Sequence, residues 1–571
     1  MNFFVRYLRP YFGQMCGGMT IKFTGTIMDL LLPWCLAHIV DDVIPMRNIG
    51  LIAFWGVLMA IFSMIAVLGN IIANRMASRV ARNTTEAVRR DLFHKIMSLS
   101  CAQADHFTIP SLISRLTSDT YNVHSMVGMM QRMGIRAPIL LLGGIAVTLT
   151  LEPVLALILI ACLPLMALVI VTVSRKGIPL YTNLQRGVDK LVQTVRENVT
   201  GIRVIKALSK TDYEKRRFDT VNQDVVCRER KAGLTMAVTN PTMNLFLNLG
   251  MTLIILVGAY RVNGGISQPG KIIAFMNYFT IILNAVLSIN RMFVMCSKGI
   301  ASAGRIDEVL QTPADMPPRL SEPVADNAHV VFDHVSFSYL KKERNLTDIT
   351  FSLKRGETLG IIGATGSGKS TIVNLLMRLY EADEGSIRIG GENVNAIPPE
   401  VLHTKFGVAF QHDVLFADTI AENISFGREL PEEQLRRAAA DAQAAEFIDS
   451  LPDGLEHMLT IKGANLSGGQ KQRLLIARAL AGNPEILILD DSSSALDYKT
   501  DAKLRGAIRA HFQGATSIII AQRVSSILHA DHILVLEDGC QIGYGTHQEL
   551  LESCPVYREI SESQMGGGLL A

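Results

Sequence analysis

LGIIGATGSGKST, residues 359–371, decides the fold. An apolar run, Leu359–Ile362, enters a glycine-rich loop, and the loop leads straight into the helical pattern IVNLLMRL. The residues fit GxxxxGK[ST] in the strand–loop–helix context that this motif requires. Gly363, Gly366 and Gly368 let the backbone amides of the loop, with those of Thr365 and Ser367, turn toward phosphate oxygens. The helix that begins near Lys369 and Thr371 adds the positive end of its dipole. Lys369 supplies charge to the outer phosphates, and Ser370 a hydroxyl for Mg²⁺. The expected ligand is ATP.

A partner strand lies further along, in ILILDDSSSALD, residues 486–497. Ile486–Leu489 reads as a buried parallel strand, and Asp490 at its carboxyl end faces the metal. The next carboxylate, Asp491, stands where the attacking water would be polarised. The surrounding residues, 329–571, alternate short β-rich runs with helices, as expected of an α/β cassette.

Upstream the chain changes character. Residues 311–328, QTPADMPPRLSEPVADNA, are rich in proline and acid and read as a linker. Residues 1–310 read as an all-α membrane domain. Six segments are long and apolar enough to span a bilayer: about 17–43, 51–74, 126–150, 153–174, 242–262 and 271–295. The first residues, MNFFVRYLRPYFGQM, lack a cleavage site and read as an amphipathic surface helix. Basic residues crowd the two long connections, 75–125 and 175–240, which places these and both termini in the cytoplasm. Each long connection is expected to extend its helices and to turn in a short crosswise segment, near Gln103–Ser111 and near Lys210–Phe218. Two readings are open for Asp29 inside the first span: contact with a cationic substrate, or pairing with another helix or a second subunit.

A net charge of +3 implies no nucleic-acid partner, and eight cysteines without a CxxC pair fit a reducing context.

LSGGQKQR, residues 466–473, turns these features into a family. Together with the phosphate loop and the strand ending in Asp490, it resembles the signature of the ATP-binding cassette transporters. Six spans fused to one C-terminal cassette resemble an exporter-type half-transporter in a bacterial plasma membrane. ENVTGIRVIKAL (197–208), ASAGRIDEVL (301–310) and GTHQELL (545–551) resemble the multidrug-exporter group. The resemblance implies that two cassettes sandwich two ATPs. Tyr339 would stack on adenine, and Gln411 would touch Mg²⁺ with Ser370 and Asp490. Leu466, Ser467, Gly468, Gly469 and Gln470 would close over ATP held by the other subunit, with Asp497 at the dimer interface.

Three departures from the family pattern stand out. The chain reads DDSSSALD where the family usually reads DEATSALD, so Asp491 replaces the catalytic glutamate. Gln522, in IIIAQRVSS, replaces the switch histidine. Ile461 stands where a glutamate usually precedes the signature. Aspartate is one methylene shorter, and glutamine lacks the protonation-dependent contact of histidine. These departures imply a site that binds ATP and hydrolyses it slowly, beside a partner half-transporter that carries Glu and His. The substrate class implied is small amphipathic compounds, such as drugs, lipids or peptides. Alternative readings are an exporter-fold importer of a metal–chelator complex, or a non-pumping ATP-gated regulator.

Overall fold

The computed structural model describes residues 2–571 except 314–315, 318, 320–326, 340, 412–413, 493 and 566–571. Most of the expected linker therefore lies outside the described residues. The chain forms two compact units: Met1–Met97 with Pro110–Thr312, and Ser98–Ile109 with Pro313–Ala571.

The first unit is helical. Its six long apolar helical stretches are Phe3–Val43, Ile49–Met97, Ile109–Leu151, Pro153–Thr200, Thr211–Asn263 and Pro269–Leu310. Each outruns the roughly 20 residues needed to cross a bilayer, as the helix-extension reading requires. Apolar side chains such as Phe54, Ile61, Leu142, Leu157 and Leu256 stay exposed along them. A surface of that kind suits lipid rather than water. Inside, small residues bring the helices together: a Cβ on Gly25 would lie 3.3 Å from the Ala66 carbonyl, and one on Gly69 3.4 Å from that of Ile21. Fully buried Tyr278 donates its hydroxyl to the Leu30 carbonyl at 2.6 Å, tying the sixth span to the first. Asp41 accepts the amides of Gly270 and Lys271, capping the start of Pro269–Leu310.

The described residues begin with a helix, Asn2–Leu8, whose Phe3 and Tyr7 are buried and whose Tyr7 hydroxyl donates to Asp91 at 2.9 Å. A short helix, Cys101–Phe107, overlaps the first expected segment and is opened by a capping box between Ser100 and Gln103. Thr108, at φ +64°, ends it. In the second long connection the expected stretch is not a separate short helix. The short helix is Ile202–Ala207, and Lys210–Phe218 instead falls at the start of the long helix Thr211–Ala237. Gly201 ends the preceding helix, and Ser209 turns the chain at φ +53°.

The second unit is built on a ten-stranded sheet. In chain order the strands are β1 (Val330–Phe337), β2 (Leu346–Leu353), β3 (Thr358–Gly363), β4 (Glu384–Ile389), β5 (Glu392–Asn393), β6 (Phe406–Ala409), β7 (Ile486–Asp490), β8 (Thr516–Ile520), β9 (His532–Glu537) and β10 (Cys540–Gly545). Their spatial order is β5-β4-β1-β2-β10-β9-β3-β8-β7-β6. From β9 to β6 every pairing is parallel. β7 is buried at all five positions, as expected for a strand covered on both faces. A second apolar core, including Leu474, Ile476, Ile420 and Leu435, holds the helices Ile420–Ser425, Glu432–Asp441 and Gly468–Leu480 together.

Candidate functional site

Four adjacent parallel strands, β3, β8, β7 and β6, end on one edge of the sheet. Their carboxyl ends lead into Gly363, Gln522, Asp491 and Gln411 respectively. This is why residues far apart in the chain meet in one cleft. Its lining includes Thr365, Gly366, Lys369, Ser370, Gln411, Asp490, Asp491 and Gln522.

The phosphate loop follows β3. Gly368, at φ +94°, caps the helix Lys369–Leu376, and a Cβ there would lie 2.6 Å from Leu346 Cδ2. Only glycine fits both the dihedral and the space. Lys369 curls back, donating from Nζ to the carbonyls of Gly363 at 2.9 Å and Ala364 at 2.7 Å. Burial lowers its pKa, opposed by the charges of Asp490 and Asp491. Ser367 Oγ is buried without a hydrogen-bond partner among the described residues. An unsatisfied buried hydroxyl at the loop, beside a helix N-terminus, suits an anion with several acceptor oxygens.

Asp490 closes β7 and is buried, at 3% exposure. Asp491 then turns the chain at φ +47°, a conformation that aspartate tolerates better than most residues. Its amide donates to the Ile520 carbonyl at 3.1 Å, holding the turn against β8. Its Oδ2 accepts from Gln522 Nε2 at 2.7 Å and from Gln411 Nε2 at 3.3 Å. Burial raises the Asp491 pKa, while the Gln411 contact, Lys369, the Gln522 contact and Arg523 pull it back. The carboxylate is thus held between two amide side chains.

Tyr339 sits beside the loop helix. Its hydroxyl donates to Thr371 Oγ1 at 3.4 Å and accepts from Asn374 Nδ2 at 3.1 Å. Its ring meets Phe337 and Tyr380 edge-on, with centroids 4.8 and 4.9 Å away. The Tyr380 hydroxyl in turn donates to Asp105 of the helix Cys101–Phe107 at 2.5 Å. The sequence reading did not single out Tyr380, or Asn345, which also lines the cleft. Neither belongs to a local motif.

The signature segment is placed elsewhere and does not line this cleft. Ser467 caps the helix Gly468–Leu480 in a reciprocal box with Gln470. Gly469 packs near the Ala495 carbonyl, and Leu466 is partly buried against the helical core. Asp497 caps the helix Tyr498–His511, accepting from the Thr500 amide at 2.9 Å. Ile461 is 76% exposed.

Asp29 is paired. Its Oδ2 lies 3.1 Å from Arg136 Nη2 and 3.5 Å from Asn70 Nδ2.

Comparison with known proteins agrees with this geometry. Residues 15–286 match the family model of the ABC transporter transmembrane region, and residues 346–494 that of the ABC transporter. The ABC transporter ATP-binding protein YfiB of Bacillus subtilis is 37% identical over 98% of both chains. A putative ABC transporter ATP-binding protein of Streptococcus pneumoniae, exp8, is 30% identical over 98% of this chain and 96% of its own. Among solved structures, a bacterial Atm1-family ABC exporter with ATP bound superposes with a TM-score of 0.82 at 25% identity. The match covers 98% of this chain and 99% of that one.

Proposed function

Because this chain belongs to the ABC transporters, as a multi-pass half-transporter of exporter fold with a cytoplasmic ATP-binding domain, we propose that it is the slow-site subunit of a heterodimeric exporter. Its cargo is amphipathic compounds: drugs, lipids or peptides. Its partner carries the glutamate and histidine that this chain lacks.

The observation that carries this reading is the capture of Asp491 by Gln522 and Gln411. A general base needs a free lone pair aimed at water. Two amide groups take up Asp491 Oδ2, so a water has to be met by Oδ1, on a side chain a methylene short of a glutamate's. A neutral glutamine at 522 offers no imidazolium to a phosphoryl oxygen. Binding is another matter. The loop glycines, Lys369 and the orphaned Ser367 hydroxyl suit the phosphates of ATP, and Ser370, Gln411 and Asp490 would hold Mg²⁺. With Mg²⁺, bound ATP supplies the phosphate charge that brings two cassettes together. The intact signature, Leu466 to Gln470, closes the partner's faster site. ATP that persists here keeps the cassettes engaged while the partner turns over, and differential affinity for the closed state drives the membrane helices.

The test is to purify the chain alone and with a half-transporter that carries Glu and His. The pair hydrolyses ATP; replacing the partner's glutamate stops it, and Asp491→Asn in this chain has a small effect. Full transporter rates from the lone chain, abolished by Asp491→Asn, would overturn the asymmetry.

A further inference from the structure

Resting on the reading of the helical unit as a transport domain, we propose that it holds a binding site for the anionic headgroup of an amphipath. The site is formed by Lys22, Arg132 and Arg136. Away from their ends, the apolar segments 17–43, 51–74 and 126–150 carry four charged residues: Lys22, Asp29, Arg132 and Arg136. Lys22 and Asp29 lie on one face of their helix, two turns apart, while Arg132 ends the helix Thr120–Met133 and Arg136 opens the next, Arg136–Leu151, across the turn at Gly134 and Ile135. Asn70 and Asn74, one turn apart on the second span, face them. Contacts join the three helices. Lys22 Nζ donates to Asn74 Oδ1 at 3.0 Å, and Asp29 takes Arg136 at 3.1 Å and Asn70 at 3.5 Å. Gly25 and Gly69 let the first two helices touch between Lys22 and Asp29.

Three cations and one carboxylate leave two positive charges in excess. Lys22 is 2% exposed, and among the described residues neither it nor Arg132 is paired with a carboxylate. Arg132 Nε donates only to the Gly128 carbonyl, at 3.0 Å. Among the described residues Arg136 Nε and Asn70 Oδ1 are buried with no partner, while about a third of the Arg136 side chain is exposed. Uncompensated charge at membrane depth is costly and marks a ligand pathway or a partner. The donors converge from three helices, next to an apolar surface. That combination suits a phosphate or carboxylate headgroup carried on an apolar tail, and it repels a cationic one.

The experiment measures binding of radiolabelled dodecyl phosphate and of dodecyltrimethylammonium to the full-length chain in phosphatidylcholine nanodiscs, without nucleotide. Dodecyl phosphate should bind and the cation should not. Arg132→Gln, which leaves the Asp29–Arg136 pair intact, should weaken dodecyl phosphate roughly 10- to 100-fold, and Arg132→Lys should restore much of it. Repeating the measurement in phosphatidylglycerol nanodiscs separates the sources. Competition means that bilayer headgroups fill the site, and unchanged affinity means that it is kept for a soluble amphipath; both support the proposal. Equal binding of the two probes, or an unaffected Arg132→Gln variant, would overturn it, since the excess charge is then met by a partner subunit. Because nucleotide is absent, the outcome is independent of the cassette asymmetry. Dodecyl phosphate that binds but is not moved into inverted vesicles would show that it is not cargo and leave this site standing.

Discussion

Restoring both missing groups should turn the slow site into a fast one. In the wild type, Asp491 Oδ2 is held 2.7 Å from Gln522 Nε2, on a backbone fixed by the Asp491 amide bond to Ile520. Asp491→Glu extends the carboxylate by about one C–C bond, roughly 1.5 Å. A displacement of about 1 Å in a reacting group is worth on the order of 10²-fold in rate. The longer side chain also has to leave the Gln522 amide, so the single variant should gain less than this. Gln522→His removes that amide and adds an imidazole whose charge responds near neutral pH. The double variant, Asp491→Glu with Gln522→His, should therefore raise the ATPase rate of the lone chain on the order of 10²-fold. Nucleotide affinity should be unchanged, because Lys369, Ser370 and Asp490 are untouched. The assay is phosphate release by the purified chain in nanodiscs at saturating MgATP, with binding of a fluorescent ATP analogue as control. An unchanged rate with normal nucleotide binding would refute the reasoning that side-chain reach and the 522 contact limit this site.

Other consequences follow from the cassette. Gly368→Ala forces a Cβ into Leu346 at a left-handed φ, which costs on the order of 1–3 kcal/mol of local strain; equilibrium dialysis should show ATP binding lost while the fold persists by circular dichroism. Tyr380→Phe deletes the hydrogen bond to Asp105, about 1 kcal/mol, and should lower cargo moved per ATP hydrolysed without changing ATP affinity. His329 is buried against Thr516, and burial, with Arg355 nearby, lowers its pKa. The unfolded state therefore binds the proton more readily, so stability is lost as pH falls through the ordinary histidine range, near 6.5. His329→Asn should flatten that loss in thermal melts run between neutral and mildly acidic pH.

The sequence exposed most of the nucleotide site because each part is a local pattern on a strand end. The glycines of the phosphate loop, Asp490 and Asp491 after ILIL, and Gln522 after SIII can each be found from their neighbours alone. Parallel strands then bring them together without further instruction. What stayed hidden was long-range or subtle. Nothing in the neighbourhood of Asp29 names Arg136, 107 residues away, as its partner. Tyr380 and Asp105 are ordinary surface residues until the fold sets them 2.5 Å apart. The short helix Ile202–Ala207 was not foreseen because IRVIKALSKTDYEKRRF keeps a helical period throughout. The break there depends on Gly201 and a left-handed Ser209, and serine is a weak marker of that conformation.

The most direct measurement is of nucleotide identity, chain by chain, in the assembled transporter during turnover. Photo-crosslinking with radiolabelled 8-azido-ATP, followed by acid quench and separation of the two subunits, reads it. Label cross-linked to this chain through the adenine ring should be mostly triphosphate while the partner's is mostly diphosphate; equal conversion on both chains would contradict the account.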